Sequence, residues 1–445
     1  MKALKLLMPA LFVTAIIGCS EKGAQADLKF FNNQILYNKT VKKLNDVVLE
    51  NNFPPMIASR NYVYACIAAF ECIAAGDDNY ISLAGQIKHM PAMPKPEKGK
   101  EIDYDLAAMF AFTRVGNAVT FPEGSMMGYY TDLKKMADSV GISGEVIRNT
   151  MTFSDSIVSA ILAWSKTDNY AQTRSAERYT VLYNMPGRWT PTPPAYTTAI
   201  EPHWKEIRPM VMDSASQFRP PAPPTFDTTN KSSAYFKALM EVKTVGDSLT
   251  DEQKHIAEFW DDNPVKTNVI GHVTIVTKKF SPPGHWMNII GIGAKAAKAD
   301  FRTTIAAYAH TAVALFDAFI SCWDEKYRSN YVRPETIINS MVDEKWRPYI
   351  QTPPFPSYTS GHATNSAAAA EVMTHWFGEN LSFTDTSLLE FGIKNREIKS
   401  FRAAAEEAAM SRLYGGIHYR FDNENGTAAG RKLGQYVVSR LKLKK

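Results

Sequence analysis

Pro54-Pro55-Met-Ile57-Ala-Ser-Arg-Asn-Tyr62-Val-Tyr64-Ala-Cys66-Ile67-Ala-Ala-Phe70 sets the period on which the chain is read. Its large side chains recur at Ile57, Tyr62, Tyr64, Ile67 and Phe70, a spacing that suits a helix rather than a strand. Proline at the head fits a first helical turn, where the missing N–H would have no partner in any case. The same period predicts helices over about 102–118, 123–140, 144–166, 231–245 and 250–262, and then over about 286–299, 301–325, 360–378, 397–412 and 424–443. Alternation of the strand kind is confined to about 267–279, which reads as a hairpin or an extended arm. The expected fold class is therefore all-α, a large domain of two packed helical bundles.

Ten of the 25 prolines fall between Pro186 and Pro224, so that stretch cannot be regular helix. Its aromatics, Trp189, Tyr196, Trp204 and Phe218, suit an extended connection lying on the surface. The expected organisation is an N-terminal helical half over 25–185, a Pro-rich connection over 186–230 and a C-terminal helical half over 231–445.

Composition bounds the function. The 445 residues are 45% hydrophobic and 11% aromatic, enough to bury a large core, which excludes general disorder. A mean hydropathy of −0.25, with one long apolar run at the start, argues against a polytopic membrane protein. A net charge of +5 is too small at this length to indicate nucleic-acid binding. Cys66, Cys72 and Cys322 form no disulfide framework and read as small core residues. Zinc spacing and the H-E-x-x-H pattern are absent from the sequence. Gly291-Ile292-Gly293 looks like a truncated dinucleotide fingerprint, but without a strand–helix–strand context it reads as close helix packing.

The first residues are an address. Lys2 and Lys5 precede a 12-residue apolar stretch, Leu6 to Ile17, which is right for a signal segment and too short to span a bilayer. Ile16-Ile17-Gly18-Cys19 resembles the bacterial lipoprotein box, so residues 1–19 are expected to be a signal peptide with Cys19 as the lipidated residue. That implies a lipid-anchored protein of the bacterial cell envelope, facing away from the cytoplasm.

Three segments carry chemistry. Lys326 and Arg333 are seven apart, which on a helix puts them on one side, and Pro334 follows. Pro353-Pro354-Phe355-Pro356-Ser357-Tyr358-Thr359-Ser360-Gly361-His362 runs into a small-residue helix. The helix N-terminus would present unpaired N–H groups to an anion, with a hydroxyl at Ser360, close approach at Gly361 and an imidazole at His362. Ser411-Arg412 then precedes His418 and Asp422, which are four apart, so that Asp422 could accept the Nδ1 proton of His418 and leave Nε2 free.

Together these segments read K-x6-R-P, S-G-H and S-R-x5-H-x3-D over 326–422. This resembles the signature of the superfamily uniting type 2 phosphatidic acid phosphatases, bacterial class A acid phosphatases and vanadium-dependent haloperoxidases. The look is that of bacterial vanadium haloperoxidase-like lipoproteins, with weaker similarity at Phe259-Trp260-Asp261-Asp262 and Pro282-Pro283-Gly284-His285-Trp286. Where the pattern usually has Pro-Ser-Gly-His, this chain has Thr359-Ser360-Gly361-His362, which removes a restraint on the turn.

The resemblance implies that Lys326, Arg333, Ser360, Gly361 and Arg412 bind a tetrahedral oxyanion and that His362, His418 and Asp422 are catalytic. In a haloperoxidase His418 is the ligand of a vanadate cofactor, Lys326 polarises peroxide, and His362 acts as acid and base. Trp323 and Phe355 match aromatics of the halide pocket, and Asp262 is expected to pair with Arg412. The alternative is an acid phosphatase without a cofactor, in which His418 forms a phosphohistidine. A third reading is a lipid-anchored oxyanion-binding scaffold. All foresee a small-molecule ligand, a membrane held only through lipid and no nucleic acid.

Overall fold

A computed structural model describes residues 29–264, 266–270 and 272–445. Cys19 and the signal segment lie outside the described residues. In chain order the helices are α1 (Gln34–Glu50), α2 (Pro55–Gly76), α3 (Tyr104–Val119), α4 (Met127–Ser139), α5 (Gly144–Ser165), the single turn α6 (Tyr170–Thr173), α7 (Ala234–Asp247) and α8 (Asp251–Phe259). There follow α9 (Pro282–Ala296), α10 (Phe301–Ser329), α11 (Pro334–Met341), α12 (Gly361–Phe377), α13 (Phe401–Tyr414) and α14 (Arg420–Arg440). Two antiparallel hairpins, β1 (Lys266–Ile270) with β2 (Val273–Thr277) and β3 (Phe383–Asp385) with β4 (Arg396–Ile398), and two short 3-10 turns, Trp204–Glu206 and Leu389–Phe391, complete the described elements. The class is all-α, as the periodicity foresees.

Side chains start most of these helices. Asn33, Asp103, Ser143, Ser233, Asp300, Ser360 and Ser400 each accept a hydrogen bond from a first-turn N–H, and Thr250 forms a capping box with Gln253. Helices α1, α6 and α11 and hairpin β3–β4 are additions to the sequence reading. In α1 the buried Val41, Leu44, Val47 and Val48 alternate with Lys39, Lys42, Lys43 and Asp46, which dilutes the apolar signal. Helix α14 begins at Arg420, four residues earlier than expected.

Helix α10 is the shared axis. It packs on α2, whose other neighbours are α3, α5 and α9, and on α12 and α14. By length and composition α10 could cross a bilayer, a second apolar run that the sequence reading passes over; its apolar window is wholly buried in protein, as in a core helix.

The closest approach is between α12 and α14. Gly426, Gly430 and Gly434 recur every four residues on one face of α14, and a Cβ on Gly430 would stand 2.1 Å from the Thr364 carbonyl oxygen. Backbone thus meets backbone just below the start of α12. Gly291 and Gly293 of α9 likewise lie against Tyr308 and Phe401, so they are packing glycines. Cys66, Cys72 and Cys322 are buried free thiols.

The Pro-rich segment docks on the elements carrying the motifs. The Trp189 N–H donates to the Asn330 carbonyl (3.0 Å), the Tyr327 hydroxyl to Ile200 O (2.6 Å) and the Tyr331 hydroxyl to Pro224 O (2.6 Å).

Candidate oxyanion site

Lys326 lies in the last turn of α10, which Asn330 ends in the left-handed conformation (φ +47°). Arg333 therefore stands beyond the helix, as the residue preceding Pro334 at the start of α11. Its convergence with Lys326 comes from the turn between two helices, not from the helical period suggested by their spacing. Ser360 and Gly361 open α12, Arg412 closes α13, and His418 sits just before α14.

His362, His418, Gly361, Arg412, Trp323 and Phe355 all border one cavity of about 280 Å³. Lys326, Arg333, Ser360 and Asp422 lie behind its wall, fully buried. The Lys326 ammonium and the Arg333 guanidinium stand over the Phe355 ring, 4.9 and 5.1 Å from its centroid, and the Trp323 and Phe355 rings are 5.0 Å apart. The two aromatics expected at a halide pocket thus stand against Lys326 and Arg333, while Arg412 borders the cavity directly.

Hydrogen bonding fixes the central imidazole. Nδ1 of His418 donates to Asp422 Oδ2 (2.7 Å), and the same oxygen accepts from the Ser357 hydroxyl (2.5 Å). Nε2 is left with its lone pair and accepts from Arg333 Nη1 (3.1 Å). Burial, then the charges of Arg333, Lys326 and Arg412, hold the His418 pKa well below the usual imidazole range, so the ring is neutral.

The three cations are bonded only to neutral groups. Lys326 Nζ donates to the carbonyls of Pro356 (2.8 Å) and Ser357 (3.0 Å). Arg333 donates to Phe355 O (2.9 Å) and Ile417 O (2.8 Å) as well as to His418, and its Nη2 is buried without a partner. Arg412 donates to the Ser411 hydroxyl (3.0 Å) and to Trp260 O (2.6 Å). None forms an ion pair with a carboxylate among the described residues, although each is at most 2% exposed. Burying unpaired charge is costly. Burial lowers all three pKa values, that of Lys326 to about 7 and that of Arg333 to about 10, so both arginines stay charged at neutral pH and a bound anion would favour the charged form of Lys326. Such a group of cations calls for a multiply charged anion with several oxygens, and the donor set fits a vanadate or phosphate group.

Asp262 corrects one expectation. It forms no ion pair with Arg412; its Oδ1 accepts from His285 Nδ1 (2.9 Å) and its Oδ2 lies 3.4 Å from His362 Nε2. The competing partner, His285, reaches it from the first turn of α9, while the Arg412 guanidinium is turned to Trp260 O. The Thr359 turn is well held despite the missing proline: Thr359 is 2% exposed, and its oxygens contact the thiol of Cys322. Ser360 Oγ serves as the cap of α12, accepting from Ala363 N (3.3 Å). Ser357, His285 and Asp385 are site residues that sequence reasoning missed. His285 and Ser357 carried a signal, since they stand in the segments 282–286 and 353–362; Asp385 carried none.

Fold and site together define an all-α protein whose buried cations and neutral imidazole suit a tetrahedral oxyanion. Comparisons with known proteins agree. The family model of the VCPO second helical-bundle domain matches residues 306–444. A crystal structure described as the first bacterial vanadium-dependent iodoperoxidase is 42% identical, covering 93% of this chain and 97% of that one, with a TM-score of 0.87. The holo-type bacterial vanadium-dependent chloroperoxidase, 16% identical over 88% of this chain and 92% of that one, shares the fold with a TM-score of 0.65. Comparison with curated proteins gives no match. The chain belongs to the vanadium-dependent haloperoxidases.

Proposed function

We propose that this site holds vanadate as its resident cofactor and oxidises a halide with hydrogen peroxide, with iodide the first halide to test because the 42% identical relative is described as an iodoperoxidase. The observation that carries the reading is the trio of buried cations, Lys326, Arg333 and Arg412, with no carboxylate partner beside the neutral His418. Bound vanadate supplies a Lewis-acidic centre that activates peroxide toward halide.

This chain's own residues do the rest. His418 would hold the cofactor through Nε2, oriented by Asp422 and Ser357. Arg333, Arg412, Lys326, the Ser360 hydroxyl and the Gly361 N–H would hold its oxygens. Peroxide and halide become water and hypohalous acid with uptake of one proton, and His362, on the cavity wall, moves that proton. Burial and the charge of Arg412 lower the His362 pKa to about 4, so at neutral pH the ring is uncharged and passes on, rather than retains, a proton it takes up. Trp323 and Phe355 keep the halide in a poorly hydrated corner.

The test is iodide and bromide oxidation by the purified chain with vanadate and peroxide, beside p-nitrophenyl phosphate hydrolysis without vanadate. Halide oxidation is expected. Hydrolysis inhibited by vanadate, with no halide oxidised, would overturn the reading. His418→Ala should remove at least 99% of turnover while leaving the helical circular dichroism unchanged. We also propose attachment to the outer side of the bacterial envelope through lipid on Cys19; Cys19→Ser should move the protein from the membrane to the soluble fraction and abolish labelling by a fatty-acid probe.

A further inference from the structure

A chain of four side chains runs from hairpin β3–β4 to the cavity: Asp385, His285, Asp262 and His362. The first three are at most 2% exposed. His285 Nε2 donates to Asp385 Oδ2 (3.0 Å) and Nδ1 to Asp262 Oδ1 (2.9 Å), so both ring nitrogens carry hydrogen and the ring is a buried imidazolium between two carboxylates. Trp260 stacks on it at 4.8 Å. Asp385 is itself fixed by the Ser387 N–H (2.9 Å) and hydroxyl.

We propose that His285 is a positioning residue for His362: with Asp385 it clamps the Asp262 carboxylate so that Oδ2 meets His362 Nε2 and keeps a proton on that nitrogen. The other ring nitrogen is then the one that exchanges protons in the cavity. The inference rests on the reading of His362 as the proton-exchanging group.

Three observations carry it. His362 Nε2 is buried with no hydrogen-bond partner, and Asp262 Oδ2, 3.4 Å away, is the carboxylate oxygen beside it. An ionised carboxylate only accepts, so a hydrogen bond closing this gap takes its proton from the histidine. Asp262 stays ionised: burial would raise its pKa, but the His285 imidazolium and His362 hold it well below the carboxylate range. Finally, a buried carboxylate–imidazolium–carboxylate array is a poor way to stabilise a core, since apolar residues of similar volume often do as well. Here it ends on an imidazole of the cavity wall, as the outer partners of functional histidines do.

The experiment uses the full chain labelled with 15N-histidine, free of vanadate for spectroscopy and loaded with it for kinetics. The His362 and His418 ring N–H protons, assigned by their loss in His362→Ala and His418→Ala, should both exchange slowly with water. In His285→Phe, which keeps a ring against Trp260, His362 proton exchange should speed up at least tenfold while the His418 proton stays protected as a check on folding. The kcat should fall at least tenfold with the iodide KM within threefold, and His285→Gln, still a donor to Asp262, should recover part of it. Should His285→Phe not fold, Asp385→Asn is measured in the same way, with a smaller loss expected. A protected His362 proton and wild-type kcat in the folded variants would overturn the proposal. Full turnover in His362→Ala would sink the underlying reading; full turnover in His285→Phe with His362→Ala inactive would sink the clamp alone.

Discussion

Replacing Arg333 with lysine keeps the buried charge and removes the fork. The guanidinium spends Nε on Phe355 O and Nη1 on Ile417 O and His418 Nε2, which leaves Nη2, buried and without a partner, as the donor for an anion. An ammonium gathers its three donors at one point and cannot hold both carbonyls while reaching the anion. Charge-assisted hydrogen bonds contribute about 1.5–3 kcal/mol each. Losing between one and two of them should weaken anion binding by about 1.5–6 kcal/mol, that is by roughly tenfold at the least. Calorimetric titration with orthovanadate measures this, and inorganic phosphate, a second tetrahedral anion, should lose affinity in parallel. If both dissociation constants stay within threefold of wild type in a protein with unchanged circular dichroism, Arg333 does not hold the oxyanion and the assignment of the cations is wrong.

Other outcomes follow from the same geometry. Trp323→Phe thins the cavity wall beside Phe355 and drops the indole hydrogen bond to Ile200 O, so steady-state kinetics should show the iodide KM shifted several-fold with vanadate affinity changed less than threefold; the reverse pattern would refute a halide role. Gly430→Ala sets a methyl 2.1 Å from the Thr364 carbonyl oxygen and should cost about 1–3 kcal/mol in denaturant unfolding, with a fall in kcat because α12 carries His362; unchanged unfolding would contradict the packing. Burial alone would lower the His285 pKa, but Asp262 and Asp385 push it up from 6.5 to about 10. A raised pKa stabilises the folded state fully below about 6.5 and less as pH climbs through 10, so the stability gap between wild type and His285→Phe should narrow from pH 7 to 10.5. A gap constant over that range in thermal melts would show that the ring is not charged.

What the sequence determined is what short range governs. A period of 3.6 residues and a first-turn cap define a helix from within, so most of the α-elements and the opening of α12 at Ser360-Gly361 are legible, as is the bond from His418 to Asp422. Segments whose apolar signal is diluted, such as α1, or that are three residues long, such as β3, carry too little local information.

Tertiary structure alone decided the partners. Asp262 meets His285 and His362 rather than Arg412 because α9 and hairpin β3–β4 dock beside it, and Asp385 lies 100 residues from the histidine it binds. Arg333 reaches His418 because α10 stops at Asn330, and Ser357 reaches Asp422 across 65 residues. Docking of one element on another depends on the shape of both, and here the glycine face of α14 lets backbone touch backbone under the start of α12. Periodicity within either helix can say which side is buried, but not which side chain of a distant segment will be waiting there.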